Sequence, residues 1–438
     1  MSRITPNIEF KKAENIHFIG IGGIGMSALA RHFLHEKKTV SGSDGVLSEL
    51  TKKLAEEGVQ IYAEQSAENI SNDIDLVVYT EAVTKKSDGW AELEKAKELR
   101  IPCINLFEAD GLAFNPYYLI AVAGTHGKTT TTAMLTDIFE SAEKDPTAVI
   151  GSLRAKTQSN YRAGKSKYAI VEACEYKRDF LHLKPDVLVI TNLEHEHVDY
   201  YKTLEDVQAA FRELIEQVDE KGVVITDTKS PTIAPILKDC PVKVIDYNEY
   251  LDLSLHLKQP GVHNRLNAAA ALAVAKYEKL NMEDAKESLQ NFTGTWRRFE
   301  YKGSLNGAPV YDDYAHHPTE IIASLNAMRE AHPEQRIVAV LEPHTYSRTV
   351  ALFKDFAKAF AGADEMILVP IYAAREENTT GVSSRELAVQ ALEYAPQTRF
   401  SDSLESAEAE LRQSVKPGDA VICMGAGTIT KLATNLVK

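Results

Sequence analysis

Tyr118-Leu-Ile-Ala-Val-Ala-Gly-Thr-His-Gly-Lys-Thr-Thr-Thr131 is the stretch whose reading decides the fold. Tyr118 to Ala123 is an apolar run of strand length. Gly124 to Gly127 is a glycine turn, and Lys128-Thr129-Thr130 opens a helix. The helix has two apolar pairs at i, i+4 spacing, Met134 with Ile138 and Leu135 with Phe139. Strand, glycine turn and helix in that order gather backbone N–H groups around an anion. Lys128 adds a point charge, and the Thr129 hydroxyl suits Mg²⁺. The expected phosphate cradle is therefore Gly124, Thr125, His126, Gly127, Lys128, Thr129 and Thr130. The general form of such a cradle has an earlier glycine, and that position here is Val122.

Outward from this point, strand-like runs alternate with helical patterns over most of the chain. That alternation predicts an α/β fold of mainly parallel sheets covered by helices. The 438 residues are enough for several domains. Three are expected: a Rossmann-like domain over 1–107, a P-loop ATPase domain over 108–295 and a second Rossmann-like domain over 296–438. The first has strands at Ile16–Ile19, Thr39–Asp44 and Leu76–Tyr79. The second has Tyr168–Ala173, Val187–Asn192, Gly222–Thr226 and Val242–Asp246, then an alanine-rich helix at Asn267–Ala275. The third has Pro309–Tyr314, Ile337–Leu341, Glu365–Val369 and Ala420–Cys423.

Composition narrows the function. Net charge is −14, which argues against a nucleic-acid partner. The four cysteines are scattered without a C-x-x-C, so neither a disulfide framework nor a zinc site is indicated. Met1 to Pro6 has no apolar signal-like core, and no apolar run approaches the ~18 residues of a membrane span. A cytoplasmic protein with no membrane partner is expected.

Several clusters carry chemistry. Gly20-Ile-Gly-Gly-Ile-Gly25 satisfies G-x-G-x-x-G after a strand, with Asp44 at the end of the next strand. Alone, this is a dinucleotide fingerprint and would suggest an NAD-dependent dehydrogenase. The same helix N-terminus would equally hold the diphosphate of a UDP-sugar. Glu172 ends its strand beside the cradle and is a natural Mg²⁺ ligand. His197 follows the next strand; a histidine at the metal would let Mn²⁺ substitute for Mg²⁺. Tyr311-Asp-Asp-Tyr-Ala-His-His-Pro-Thr-Glu320 and Leu341-Glu-Pro-His-Thr-Tyr-Ser-Arg-Thr349 read as polar clusters at adjacent strand ends. There Arg348 is expected to hold a carboxylate, and an acid such as Asp313 an amine. Arg297 and Arg298 are placed to neutralise charge on a transferred phosphoryl group, although Arg297 also reads as a surface linker residue.

Taken together, these motifs resemble the Mur ligases of bacterial cell-wall synthesis, above all the alanine-adding members. The likeness runs through Ile19 to Ser27, Gly124 to Thr132, Thr191 to His197, Gly261-Val-His-Asn-Arg-Leu-Asn-Ala268, Arg297 to Phe299 and Asp312 to Glu320. The compressed G-T-x-G-K-T-T cradle is the version that family uses. The resemblance implies three domains, for the UDP-substrate, ATP and the incoming amino acid. It implies an ATP-dependent ligase joining L-alanine to the carboxylate of UDP-N-acetylmuramate through an acyl phosphate. By the same resemblance, Thr129, Glu172 and His197 would handle Mg²⁺, and His263 and Asn267 would contact adenine. Gly22, Gly23, Ile24, Gly25, Ser43 and Asp44 would hold the UDP part. Lys128, His197, Arg298, Tyr314, His316 and Arg348 would be catalytic, in a monomer or weak homodimer. The recycling ligase that adds a murein tripeptide is the nearest alternative, disfavoured by Glu342-Pro-His-Thr-Tyr-Ser-Arg348. A dehydrogenase or a non-catalytic nucleotide switch leaves the third section's polar clusters unexplained.

Overall fold

A computed structural model describes residues 10–198 and 200–438. The first nine residues and Asp199 of the Thr191–Asp199 motif lie outside the described residues.

Among the described residues, eighteen strands form three sheets. The first comprises β1 (Asn15–Ile19), β2 (Thr39–Ser43), β3 (Gln60–Tyr62), β4 (Leu76–Tyr79) and β5 (Cys103–Asn105), all parallel, in the order β3-β2-β1-β4-β5. The chain leaves β1 for β2 on one side and returns to β4 on the other. Ligands of open α/β sheets collect outside the strand ends at such a reversal.

The second sheet holds β6 (Tyr118–Ala123), β7 (Thr147–Arg154), β8 (Ser159–Arg162), β9 (Tyr168–Glu172), β10 (Val187–Ile190), β11 (Val223–Thr226) and β12 (Lys243–Asp246). Its order is β12-β11-β10-β6-β9-β7-β8. Leu119 to Ala123 are fully buried, as a central parallel strand covered on both faces requires. In this sheet, among the described residues, the β7–β8 pair alone is antiparallel. Its strand β8 turns away from this sheet's own business: the fully buried Asn160 donates to Ile24 O at 2.6 Å and Ser27 Oγ at 2.9 Å, and accepts from Arg31 at 2.5 Å. These are residues of the helix Ile24–His35, which follows the first glycine turn.

The third sheet comprises β13 (Glu300–Leu305), β14 (Ala308–Asp313), β15 (Arg336–Leu341), β16 (Glu365–Leu368), β17 (Thr398–Phe400) and β18 (Asp419–Met424). The order is β13-β14-β18-β15-β16-β17; β13 is antiparallel to β14 and the other pairs are parallel. One correction follows. The two polar clusters end β14 and β15, which are not neighbours: β18 runs between them.

The fold is thus α/β with mainly parallel sheets, as expected. By internal contacts the chain forms two compact units. One takes in the chain to Leu193, Gln208–Tyr247 and Ala270–Ala285, and so the first two sheets. The other takes in Glu194–Val207, Asn248–Ala269 and Lys286–Lys438, and so the third sheet.

Candidate active site

In the first unit, the cradle hangs from the centre of its sheet. The turn after β6 is held by the neighbouring β10 end. His126 N donates to Asn192 Oδ1 at 2.9 Å, Thr191 Oγ1 donates to His126 O at 2.6 Å, and Thr125 N donates to Asn192 O at 3.1 Å. Gly124 has φ +129°, and a Cβ there would lie 2.0 Å from Thr191 Oγ1, so only glycine fits. Gly127 is left-handed at φ +83° and caps the helix Lys128–Ser141 without a side-chain hydrogen bond. The first N–H groups of that helix therefore have no side-chain cap, which is the arrangement that takes a phosphate.

Glu172, at the end of β9, meets the cradle. Its Oε1 accepts from Thr129 Oγ1 at 3.1 Å, and its Oε2 from the backbone N of Gly151 on β7 at 2.8 Å. Thr129 and Glu172 are thus brought together as expected, and both offer hard oxygen donors of the kind Mg²⁺ takes. Gly151 was not foreseen; its signal would have been an apolar run, Thr147-Ala-Val-Ile150, followed by a glycine. Lys128 Nζ lies 2.9 Å from Glu175 Oε2 and donates to Gly124 O and Thr125 O. Burial, the largest single influence, would lower the lysine pKa, but the attractions of Glu175, Cys174 and Glu172 together outweigh it and the pKa is raised. Cys174 is inert by comparison: burial, then Glu175, push its thiol up to about 12.

The first glycine turn closes on itself. Gly20 N and Ile21 N donate to Ser43 O, at 2.8 and 3.0 Å, and Gly22 N donates to Asp44 Oδ2 at 2.8 Å. Gly22, Gly23, Ile24 and Gly25 all keep some exposure. Ser43 does not: it is fully buried and donates to the equally buried Glu92 at 2.6 Å. Its placement holds the turn rather than presenting a hydroxyl to a ligand.

In the second unit, the ends of β14 and β15 bring a polar cluster together across β18. Arg348 Nη2 lies 2.5 Å from Glu196 Oε1, and Nη1 donates to His344 O at 3.0 Å. Burial works to raise the Glu196 pKa, but Arg348, then His316 and His317, bring it down to about 2. His316 packs edge-on to Tyr314, at 5.3 Å between ring centroids, and to His344, at 5.8 Å. Its Nδ1 lies 3.2 Å from Glu320 Oε2. Burial, which penalises the cation, lowers its pKa to about 4 despite that carboxylate, and His344 is likewise lowered to about 4. Both rings are therefore neutral at pH 7. The His344 ring stacks on Tyr372 with an interplanar angle of 17°. Glu196, His344 and Tyr372 extend the expected set of Tyr314, His316 and Arg348. His344 and Glu196 stood inside quoted motifs, but nothing in the spacing picked them out.

Asp313 accepts from Phe299 N at 3.0 Å and from Ala315 N at 2.8 Å, one bond to each carboxylate oxygen. Burial raises its pKa to about 6. Arg297 is not a surface linker residue. It is 4% exposed, pairs with Asp312 at 3.4 Å and donates to the carbonyls of Gly425 and Gly427, so it ties the chain before β13 to the end of β18. Arg298 is the more open of the pair; its guanidinium lies 3.7 Å from Glu320 and over the Tyr314 ring.

His263 and Asn267 lie in the helix Val262–Tyr277, and both belong to this second unit. Burial, then Arg298, lowers the His263 pKa to about 4, so its ring is neutral and suited to hydrogen bonding a base. His197 also belongs to this unit, in a left-handed conformation at φ +54°; its carbonyl accepts from Tyr200 N and Tyr201 N at 2.8 and 2.9 Å. Sparse backbone conformations of this kind collect at functional sites.

Comparison with known proteins gives matches along the chain. Residues 15–118 match the model described as Mur ligase family, catalytic domain. Residues 122–251 match the Mur ligase middle domain, and 297–427 the Mur ligase, glutamate ligase domain. The chain is 40% identical to a UDP-N-acetylmuramate--L-alanine ligase of Agathobacter rectalis, over 98% of this chain and 99% of that one. It is similar to the crystal structure of UDP-N-acetylmuramate-alanine ligase from Thermotoga maritima, with a TM-score of 0.80 and 29% identity over 97% and 98% of the two chains. A murein peptide ligase from Psychrobacter arcticus shares the fold, with a TM-score of 0.71 and 23% identity over 97% and 98%.

Proposed function

Because the chain belongs to the Mur ligase family, we propose that it joins L-alanine to the lactyl carboxylate of UDP-N-acetylmuramate at the expense of ATP, in peptidoglycan precursor synthesis. It is an ATP-dependent ligase forming an amide bond. The observation that carries this reading is the cradle after β6, with Lys128 held inside it and Glu172 bonded to Thr129 at its rim.

The reaction has two steps. A carboxylate oxygen of the muramate attacks the ATP γ-phosphorus, and the bond to the β-phosphate oxygen breaks with its electron pair staying on ADP. The alanine amine then attacks the acyl phosphate carbonyl. Phosphate leaves with the C–O pair, and the amine nitrogen gives up a proton as the amide forms. Gly124 to Thr130 cradle the phosphates, and Lys128 takes up charge spreading onto the transferred group. Thr129 and Glu172 would hold Mg²⁺, with His197 as a further ligand, and the ion supplies electrostatic stabilisation of the triphosphate.

The remaining roles are assigned on the same reading. Gly22, Gly23, Ile24, Gly25 and Asp44 take the UDP part, with Ser43 shaping the turn. His263 and Asn267 contact adenine. Arg348, shared with Glu196, orients the alanine carboxylate, while neutral His316 and Tyr314 line the amine end. Arg298 neutralises phosphoryl charge. The domains run over 1–107, 108–295 and 296–438, which fall between the three sheets. A cytoplasmic monomer or weak homodimer suits soluble substrates; among the described residues no helix is long and apolar enough to cross a membrane.

The test is phosphate release with UDP-N-acetylmuramate, ATP, Mg²⁺ and L-alanine. Release that depends on alanine is expected. No release from the full mixture would sink the ligase reading, and a strong preference for L-Ala-γ-D-Glu-diaminopimelate would reassign the protein to murein recycling.

A further inference from the structure

We propose that Glu175 is a positioning residue, which stays paired with Lys128 through turnover and aims its ammonium at the transferred phosphoryl group. The inference rests on the ATP-dependent ligase reading above.

Lys128 Nζ has three partners: the Glu175 carboxylate, with Oε2 at 2.9 Å and Oε1 at 3.2 Å, Gly124 O at 2.5 Å and Thr125 O at 3.0 Å. An ammonium has three N–H donors and no more. To reach a phosphate it must give up one of them. A backbone carbonyl is neutral, and losing one hydrogen bond to it costs little. Glu175 is a charge whose side chain is 2% exposed, and stripping it of its cation leaves a carboxylate buried beside an incoming triphosphate. The carbonyl contact is therefore the one released, and the ammonium pivots about the Glu175 carboxylate. Glu172, the last residue of β9, and Glu175, three positions on, have separate tasks. One faces the Thr129 hydroxyl, and the other faces Lys128 and touches no reacting atom.

The opposite role is also definite. A carboxylate that merely parks the lysine would compete with ATP, and its removal would tighten nucleotide binding. Steady-state phosphate release with ATP varied at saturating UDP-N-acetylmuramate and L-alanine separates the two. Wild type, Glu175→Gln and Glu175→Asp are compared. A misaimed group costs rate more than affinity, so Glu175→Gln is expected to lose about tenfold or more in kcat with the KM for ATP changed by less than about threefold. Glu175→Asp keeps the charge and is expected to recover part of the lost kcat. Should Glu175→Gln melt far below wild type, the Asp variant carries the test through the same split of kcat against KM.

Wild-type protein that releases no phosphate overturns the ligase reading and this inference with it. Active wild type with unchanged kcat in the variants, or with a lowered KM for ATP in Glu175→Gln, overturns the inference alone. So does an Asp variant no faster than the Gln variant.

Discussion

Gly151→Ala adds one methyl group to β7, far in sequence from the cradle, and is expected to cost the enzyme most of its rate. A Cβ at Gly151 would stand 2.4 Å from Glu172 Oε2, 2.5 Å from Oε1 and 2.6 Å from Cδ. The whole carboxyl group is in the way, so a turn of its tip does not relieve the clash. Ordinary contact begins near 3.4 Å, and the carboxylate must retreat by about 1 Å. It then loses the Gly151 N–H, a hydrogen bond to a charged group worth about 1.5–3 kcal/mol. It also leaves Thr129, with which it would share the metal. A misplacement of about 1 Å at a reacting centre costs on the order of 100-fold, or about 2.7 kcal/mol in the barrier. The assay is alanine-dependent phosphate release at saturating substrates, alongside thermal unfolding. A kcat within about threefold of wild type, in a variant that melts normally, would refute the reasoning that Gly151 sets the place of Glu172.

Other outcomes are expected. Lys128→Ala should remove turnover and, by leaving Glu175 buried without this cation, lower stability as well; near-normal phosphate release would mean the cradle is misassigned. Arg348→Ala leaves Glu196 buried without its cation and should destabilise the protein by about 3–5 kcal/mol at pH 7, measured by denaturant unfolding. The Glu196 pKa is depressed to about 2, so its contribution is full above the ordinary glutamate value of about 4.3 and is lost as pH falls toward 2. The gap between wild type and Arg348→Ala should therefore narrow on acidification through that window; a gap constant from pH 7 to pH 3 would contradict the pairing. Arg297→Met removes the buried partner of Asp312 and should lower stability at pH 7 by several kcal/mol, on the order of 3 or more. A melting temperature equal to wild type would return Arg297 to the surface.

What the residues alone revealed, and what they hid, divides along sequence separation. The cradle was legible because its strand, turn and helix are contiguous, and Glu172 because it ends a recognisable apolar strand. Gly151 was hidden because its partner lies on another strand, and the glycine itself carries no chemistry. β3, β5 and β17 are three-residue edge or near-edge strands, too short for a pattern. β13, Glu300-Tyr-Lys-Gly-Ser-Leu305, is mostly polar because one edge of its sheet faces outward. Strand order is the other blind spot. Chain order made β14 and β15 look adjacent, and only the return of β18 between them corrects it. The burial of Arg297 is hidden for the same reason, since what satisfies a charge is set by residues that the fold brings from elsewhere.

The β7–β8 hairpin places two fixed points on one short piece of chain. At one end Gly151 sets Glu172, and at the other Asn160 grips the helix that starts at the first glycine turn. Hairpin tips are ordinarily where a chain tolerates inserted residues. Here the stretch from Gly151 to Asn160 acts as a ruler between the first glycine turn and Glu172. Adding or deleting a residue would shift one fixed point against the other. An engineer seeking a site for a tag or a reporter domain must therefore avoid its tip.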